Sequence, residues 1–279
     1  MLKIAIITNV TKDIQLSTAQ RVADFLCGKA EVYMSRECTL SKSYEINYID
    51  YEEIFKTVDI AIVIGGDGTL LRVASRCAKN DIPALGINLG KIGFLTEVDV
   101  ADVEKALSCI IDGRYIIEKR MLLRARINDE DISCHALNDI VISKPEKVKL
   151  IDVDLYNDTE LVYHYRADGL IIATPTGSTG YSISAGGPVV DPRMDLYIAT
   201  PICAHMLCTR SAIMPTDGEL TLKLSCDGEK KGAVMCADGE QGRLITADDV
   251  VRISKSDYEF KLIKIGKSSF YDTLMNKLS

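Results

Sequence analysis

Apolar and polar positions follow one rhythm in the first part of the chain and another in the second. Residues 2–8 and 59–64 are nearly unbroken apolar runs, the pattern of parallel strands covered on both faces. Residues 83–88 predict a third strand. Between these runs, Ile14, Ala19, Val22, Ala23 and Leu26 recur at helical spacing and predict a helix over residues 14–26. A short helix is expected over 70–77, and another over 100–111 that stops at Asp112-Gly113. Strands alternating with helices imply an α/β layer built on a parallel sheet.

From residue 116 onward the period shortens. Residues 219–225 alternate strictly between apolar and polar and predict a half-buried strand. Residues 148–156 and 160–165 read as strands flanking a hairpin loop at Asn157-Asp158-Thr159. Further short strands are expected over 250–254 and 260–265, and a weakly amphipathic helix over 268–278. The predicted organisation is an α/β N-terminal domain with a parallel sheet, residues 1–115, and a mainly β C-terminal domain, residues 116–262. Residues 263–279 are expected to return to the first domain.

Composition narrows the partners. Hydrophobic residues make up 47% and charged residues 26%, a balance that supplies a sizeable core. The formal net charge of -7 argues against a general grip on nucleic acid or on an anionic membrane. A polyanionic small substrate remains compatible, because it needs only a local pocket. The first apolar run is too short for a secretory signal, and no run reaches membrane-spanning length, so a cytoplasmic location is expected. Nine cysteines are spread singly with no CxxC, which suggests neither a disulfide framework nor a zinc ribbon. Cys203, His205 and Cys208 lie close together, but a second ligand pair is missing and reduced thiols are the better reading. No protein metal ligands are predicted.

The most informative residues are Gly65-Gly66-Asp67-Gly68-Thr69, set after a predicted strand and before a helix. Ligands of open α/β sheets bind at the carboxyl ends of the strands. Glycines let the backbone come close to a ligand, and amides at a helix start favour a phosphate. A carboxylate in that loop repels a polyphosphate unless it acts as a base or organises a cation, which marks Asp67 as chemical. The plain structural alternative is a tight turn with Asp67 as the helix cap. Gly266-Lys267-Ser268 is not the end of a Walker A loop, since Lys261 stands where its first glycine belongs. No G-x-G-x-x-G follows a strand, so the usual dinucleotide fingerprint is absent too.

A second glycine-rich segment, residues 168–188, offers a strand, a turn dense in hydroxyls, and Tyr181, whose ring could pack on a base. With this segment in place the sequence resembles the NAD kinase family. That family pairs a GGDGT turn with a TPTGSTAYSLSAGGP-like stretch, here residues 174–188. Its GxxxGxLGFLTE segment is matched by residues 86–97, and its Asn-Glu element by Asn138-Asp139. Its PICPHTL…RP segment is answered by Pro201, Ile202, Cys203, Ala204, His205, Met206 and Leu207, with Arg210. Its Asp-Gly-Gln element is answered by Asp238-Gly239-Glu240. The matches run in order along the chain.

The resemblance implies transfer of a phosphoryl group from ATP to the 2′-hydroxyl of the adenosine ribose of NAD, giving NADP. Asp67 would activate that hydroxyl, with Gly66 and Gly68 lining the phosphates and Mg2+ arriving with ATP. Phe94 would border the adenosine, and Asn138 and Asp139 would bind it. Thr174, Thr176, Ser178 and Tyr181 would line the same pocket. Asp168 would reach the nicotinamide side across a subunit boundary, in a homodimer or homotetramer. A basic residue at Arg166 goes, in similar enzymes, with preference for NAD over NADH. Two departures matter: Asp139 is one methylene shorter than the usual Glu, and Gly180 replaces the usual Ala. Lipid kinases of the diacylglycerol and sphingosine type and phosphofructokinases also use a GGDG turn, and a non-catalytic NAD sensor is a further alternative. The 174–188 stretch and the retention of Asp67 favour the NAD kinase reading.

Overall fold

In the computed structural model the chain is described over residues 1–41, 45–90, 93–128, 130, 134–145, 150–205, 210–225, 232–240, 242–266 and 269–278. It divides into two compact units, one of residues Met1–Lys119 and Glu259–Ser279, the other of Arg120–Tyr258.

In the first unit the strands are β1 (Lys3–Thr8), β2 (Glu31–Ser35), β3 (Ile46–Ile49), β4 (Ile60–Gly65) and β5 (Ala84–Asn88). They pair in parallel in the order β5-β4-β1-β2-β3, and the end of the strand Val250–Lys264 joins at β5 through Leu262 and Ala84. β4 and β5 are buried along their whole length, which explains their unbroken apolar sequence. The helices are α1 (Ser17–Leu26), α2 (Tyr51–Thr57), α3 (Asp67–Lys79) and α4 (Val103–Ile111). Val22, Ala23 and Leu26 of α1 meet Val103, Ala106 and Leu107 of α4 in one core cluster with β1, β2, β4 and β5.

Several expectations need correction. The predicted helix over 14–26 begins only at Ser17, because Gln15 and Leu16 take positive φ of 55° and 54°. The buried Asp13 causes the break: its carboxylate accepts from the amides of Thr18 and Ala19 and so sets the helix start. Ile14 is left 76% exposed, outside the core that its spacing suggested. α3 is longer than predicted and starts at Asp67, with Gly66 as the residue before it. The strands expected at 250–254 and 260–265 are the two ends of one strand, Val250–Lys264, the first paired with Leu220–Lys223 and the second with Ala84. β2, β3 and α2 had no clear signal and were missed.

The second unit is antiparallel. One sheet runs Ala212–Met214, Tyr197–Ile202, Gly169–Ala173, Asp139–Ser143, Ala233–Ala237, Arg243–Ile245. The strands Ile151–Asn157 and Glu160–Ala167 form the predicted hairpin, with Asn157 opposite Glu160, so only Asp158 and Thr159 make the loop. Asp158 takes φ 51° there, which a short Asx residue tolerates. Leu220–Ser225 alternates in burial as its sequence does. The inner faces share one core that includes Tyr165, Tyr197, Leu170, Leu222 and Ile253. Residues 148 and 149, at the start of a predicted strand, lie outside the described residues, as do 268 and Cys208.

Candidate functional site

In the first unit, Asp67 is not the cap of its own helix. Its carboxylate reaches across to the segment after β5. Oδ2 accepts from the Phe94 amide at 2.8 Å, and Oδ1 from the amides of Leu95 and Thr96 at 3.1 and 3.0 Å. The Thr96 hydroxyl adds a fourth bond to Oδ1 at 3.0 Å. Three successive amides aimed at one carboxylate form an anion nest that fixes its position. The closeness requires Gly93, since a β-carbon there would stand 1.8 Å from Asp67 Oδ1. Among the described residues Oδ2 takes a single hydrogen bond, so a lone pair remains for a proton. Gly66 and Gly68 lie on either side of Asp67, half-buried and exposed respectively. The Phe94 ring lies 5.9 Å from that of Phe270, and Lys277 stands over it at 4.8 Å.

In the second unit a parallel construction appears. The Asp238 carboxylate accepts from the amides of Leu137, Asn138 and Asp139 at 2.7, 2.8 and 3.0 Å. Asp238 is in the left-handed region, with φ 48°, and leads into Gly239. Asp139 is itself buried, and the Tyr181 amide donates to its carboxylate. Burial and the neighbouring Asp238 push the Asp139 carboxyl up to about 7. Burial also raises Asp238 to about 6, against the pull of its three amides.

The hydroxyl-rich turn closes on the same residues. The Thr174 amide donates to the Asn138 carbonyl at 2.9 Å, and its hydroxyl donates to the Leu137 carbonyl at 2.6 Å. The Gly177 amide donates back to the Thr174 hydroxyl at 3.0 Å. Gly177 has no room for a side chain: a β-carbon would meet the Asn138 carbonyl at 2.0 Å. Ser178 is fully buried, its hydroxyl donating to the Val190 carbonyl and accepting from the Val190 amide. Arg120 donates to the buried Thr176 hydroxyl at 3.4 Å. The Thr174 and Ser178 hydroxyls therefore tie the turn to Leu137 and Val190, whereas Tyr181 stands 47% exposed. An alanine methyl at Gly180 would come within 3.1 Å of Asn138 Nδ2, a tight but adjustable contact.

The resemblance put Phe94, Asn138, Asp139, Thr174, Thr176, Ser178 and Tyr181 around one adenosine; Phe94 belongs to the first unit, and the other six lie near one another in the second. It matched Asp238 to a motif but gave it no task; the clasp on residues 137–139 supplies one. Arg166 and Asp168 are not part of this cluster. Asp168 and Thr174 bracket the strand Gly169–Ala173, which separates them by about 20 Å at the usual strand rise. Lys144 pairs with Asp168 at 2.5 Å, and Arg166 Nε lies 3.8 Å from Asp152 on the neighbouring strand. Cys203 is exposed and not disulfide-bonded, and no group of three or more His, Cys, Asp or Glu side chains among the described residues could hold a metal ion. No helix of the described residues is long and apolar enough to cross a membrane.

Comparison with known proteins gives the geometry a context. Residues 4–115 match the family model of the ATP-NAD kinase N-terminal domain, and residues 137–265 that of the ATP-NAD kinase C-terminal domain. The chain is 40% identical over 283 aligned residues to the NAD kinase of Caldanaerobacter subterraneus subsp. tengcongensis, covering 100% of this chain and 99% of that protein. Identity to the NAD kinase of Heliobacterium modesticaldum is 39%, over 99% of this chain and 98% of the relative. Among solved structures, an NAD kinase from Archaeoglobus fulgidus in complex with ATP superposes with a TM-score of 0.77 at 26% identity, covering 99% of this chain and 98% of that one. Yeast NADH kinase complexed with NADH shares the fold, with a TM-score of 0.86 at 24% identity over 100% of this chain and 87% of that one.

Proposed function

The chain belongs to the NAD kinase family, and from that premise we propose that Asp67 is the general base of phosphoryl transfer from ATP to NAD. The observation that carries this reading is the nest of residues 94–96 around its carboxylate. A ribose hydroxyl is a poor nucleophile at neutral pH and needs a base held in line with the acceptor phosphorus. The amides hold Asp67 still while one lone pair of Oδ2 faces the hydroxyl proton. As the 2′-oxygen bonds to the γ-phosphorus, the bond from that phosphorus to the bridging oxygen of ADP breaks, and the hydroxyl proton passes to Asp67. Such a base contributes about a hundredfold to ten-thousandfold.

The first unit is the nucleotide-binding domain in this reading, with Gly66 and Gly68 against the phosphates and Phe94 beside the adenosine. The second is the NAD-binding domain. Asn138 and Asp139 hold the adenosine and Tyr181 packs on its base, while Thr174, Thr176 and Ser178 keep the turn in shape. Mg2+ would arrive with ATP and would need no cage of protein ligands, in keeping with the lack of a His, Cys, Asp or Glu cluster among the described residues. Its chemistry when bound is neutralisation of charge on the phosphates.

The strand-length separation of Asp168 from Thr174 supports a shared site in a homodimer or homotetramer, Asp168 and Arg166 serving a neighbouring copy's nicotinamide. A cytoplasmic location suits these substrates. The lipid-kinase and phosphofructokinase readings give way to the family assignment, and a non-catalytic sensor has no use for a fixed base. The deciding experiment incubates purified protein with ATP, Mg2+ and NAD. NADP must accumulate with ADP in equal amounts; ATP hydrolysis without NADP would end this reading.

A further inference from the structure

The loop that follows β1 brings a lysine to the glycine turn. Lys12 Nζ lies 3.5 Å from the point that a β-carbon on Gly66 would occupy. β1 and β4 are parallel neighbours, in register from Ile4 and Ile60 to Thr8 and Ile64, so the loops leaving their carboxyl ends lie side by side. Asn9 ties the two loops together. Its amide donates to the Ile64 carbonyl at 2.9 Å, and its Nδ2 donates to Thr69 Oγ1 at 3.3 Å. Its carbonyl accepts from the amides of Lys12 and Asp13, both at 2.9 Å. The main chain at Lys12 is thereby fixed to the turn that carries Asp67.

The ammonium itself is left uncommitted. The adjacent carboxylate of Asp13 is buried and accepts from the Thr8 hydroxyl and from the amides of Thr18 and Ala19. Lys12 has no ion-pair partner among the described residues, although exposed lysines elsewhere, such as Lys56 and Lys119, do. A cation held against glycine backbone, at the carboxyl end of a parallel sheet, suits an anion. It also answers a difficulty of the glycine turn, where the charge of Asp67 opposes the approach of a polyphosphate.

We propose that Lys12 grips the terminal phosphates of the phosphoryl donor, as a donor-binding residue separate from those that recognise NAD. The proposal rests on the phosphotransferase reading above, and its test is arranged so that the two can fail separately. Lys12→Gln and Lys12→Arg are compared with the parent by steady-state kinetics, varying ATP and NAD in turn. All three are also titrated calorimetrically with inorganic tripolyphosphate in the absence of NAD. Because Lys12 is exposed, neither change disturbs the core. Lys12→Gln raises the KM for ATP and weakens tripolyphosphate binding, each about tenfold, the scale of one charge-assisted hydrogen bond, and shifts the KM for NAD by less than about twofold. Lys12→Arg recovers most of both losses, because it keeps the charge. Parent-like ATP KM and tripolyphosphate affinity in Lys12→Gln overturn the proposal, even if the parent makes NADP. A parent that makes no NADP, yet loses tripolyphosphate affinity in Lys12→Gln, ends the functional reading and leaves Lys12 as a polyphosphate site.

Discussion

Asp67 and Asp238 are clasped in the same manner by two unrelated folds. Each carboxylate accepts from three consecutive main-chain amides, 94–96 in the α/β unit and 137–139 in the β unit. The difference lies in the neighbours. The Thr96 hydroxyl is a fourth donor to Asp67, whereas Asp238 sits beside the buried Asp139, and those two carboxyls are both raised. Amides favour the charged form of an acid, but burial and a like charge oppose it. At Asp238 burial prevails over the three amides, with Glu240 adding a like charge, so the number of amides alone does not set protonation. The nest is a positioning device in both units; its chemistry depends on what else is close.

Replacing the clasped acid separates the two nests most strongly. Asp67→Asn keeps the shape of the turn, yet Nδ2 or Oδ1 must now face amide donors that cannot pair with an NH2 group. Turnover should fall about a hundredfold or more, the scale of a lost base, and stability by about 1–3 kcal/mol for the unpaired amide. NAD affinity, measured by calorimetry on the same preparation, should change far less. A folded Asp67→Asn enzyme with near-parent turnover removes Asp67 from the chemistry. Gly93→Ala tests the same nest from its other side. A methyl group directed at a carboxylate oxygen 1.8 Å away must displace Asp67 or the segment after it. We expect at least about a tenfold loss of turnover, as for a misplaced catalytic group. Full activity in Gly93→Ala would mean that the position of Asp67 is not critical.

The pair in the second unit should reveal itself through pH. The Asp139 carboxyl rises from 3.8 to about 7 on folding. Between those values the folded chain keeps a proton that the unfolded chain has released. Its contribution to stability is therefore full below the unfolded value and is lost as pH rises through about 7. Ribose hydroxyls donate best to the ionised acid, so NAD should bind more tightly as pH rises, by about tenfold from pH 6 to 8 for one such group. Calorimetry across that range, with Asp139→Asn as the control that flattens the profile, checks both signs. A parent profile as flat as that of Asp139→Asn would dissociate Asp139 from NAD.

The two regions were also unequally legible in the sequence. β4, the glycine turn and the strand Leu220–Ser225 were readable because burial imposes a local period on them. The hydroxyl-rich turn was readable as a site because so many permissive residues crowd together there. The partners of Asp67 lie 27 to 29 residues away, and those of Asp238 lie 99 to 101 away. Main-chain amides at such separations leave no mark on composition or period. The role of Gly93 was hidden for the same reason, since it shows only when Asp67 is brought beside it. Asp13 failed differently: a buried side chain that bonds two amides of the next helix overrode a helical spacing that Ile14 continues in the sequence.

The smallest expected effect concerns Arg166, which belongs to neither nest. It stands opposite Asp152 in the hairpin, Nε 3.8 Å from that carboxylate, with a side chain 55% exposed. Arg166 is exposed but Asp152 is buried, so removing Arg166 takes a partner from a buried carboxylate and should also lower stability, which a thermal melt of the same preparation reads separately. If Arg166 acts on the nicotinamide end of the acceptor, NAD is phosphorylated faster than NADH, and Arg166→Gly narrows that gap by less than about tenfold, the effect of one solvent-exposed contact. Arg166→Lys keeps the charge but loses the planar fork, and should fall between the two. The acceptor ratio is the informative quantity, because a change in overall activity divides out of it. Asp152→Asn gives the contrasting case: it frees Arg166 from its cross-strand partner without removing it, and the ratio should stay near that of the parent. An unchanged ratio in Arg166→Gly would leave Arg166 as a surface partner of Asp152 and nothing more.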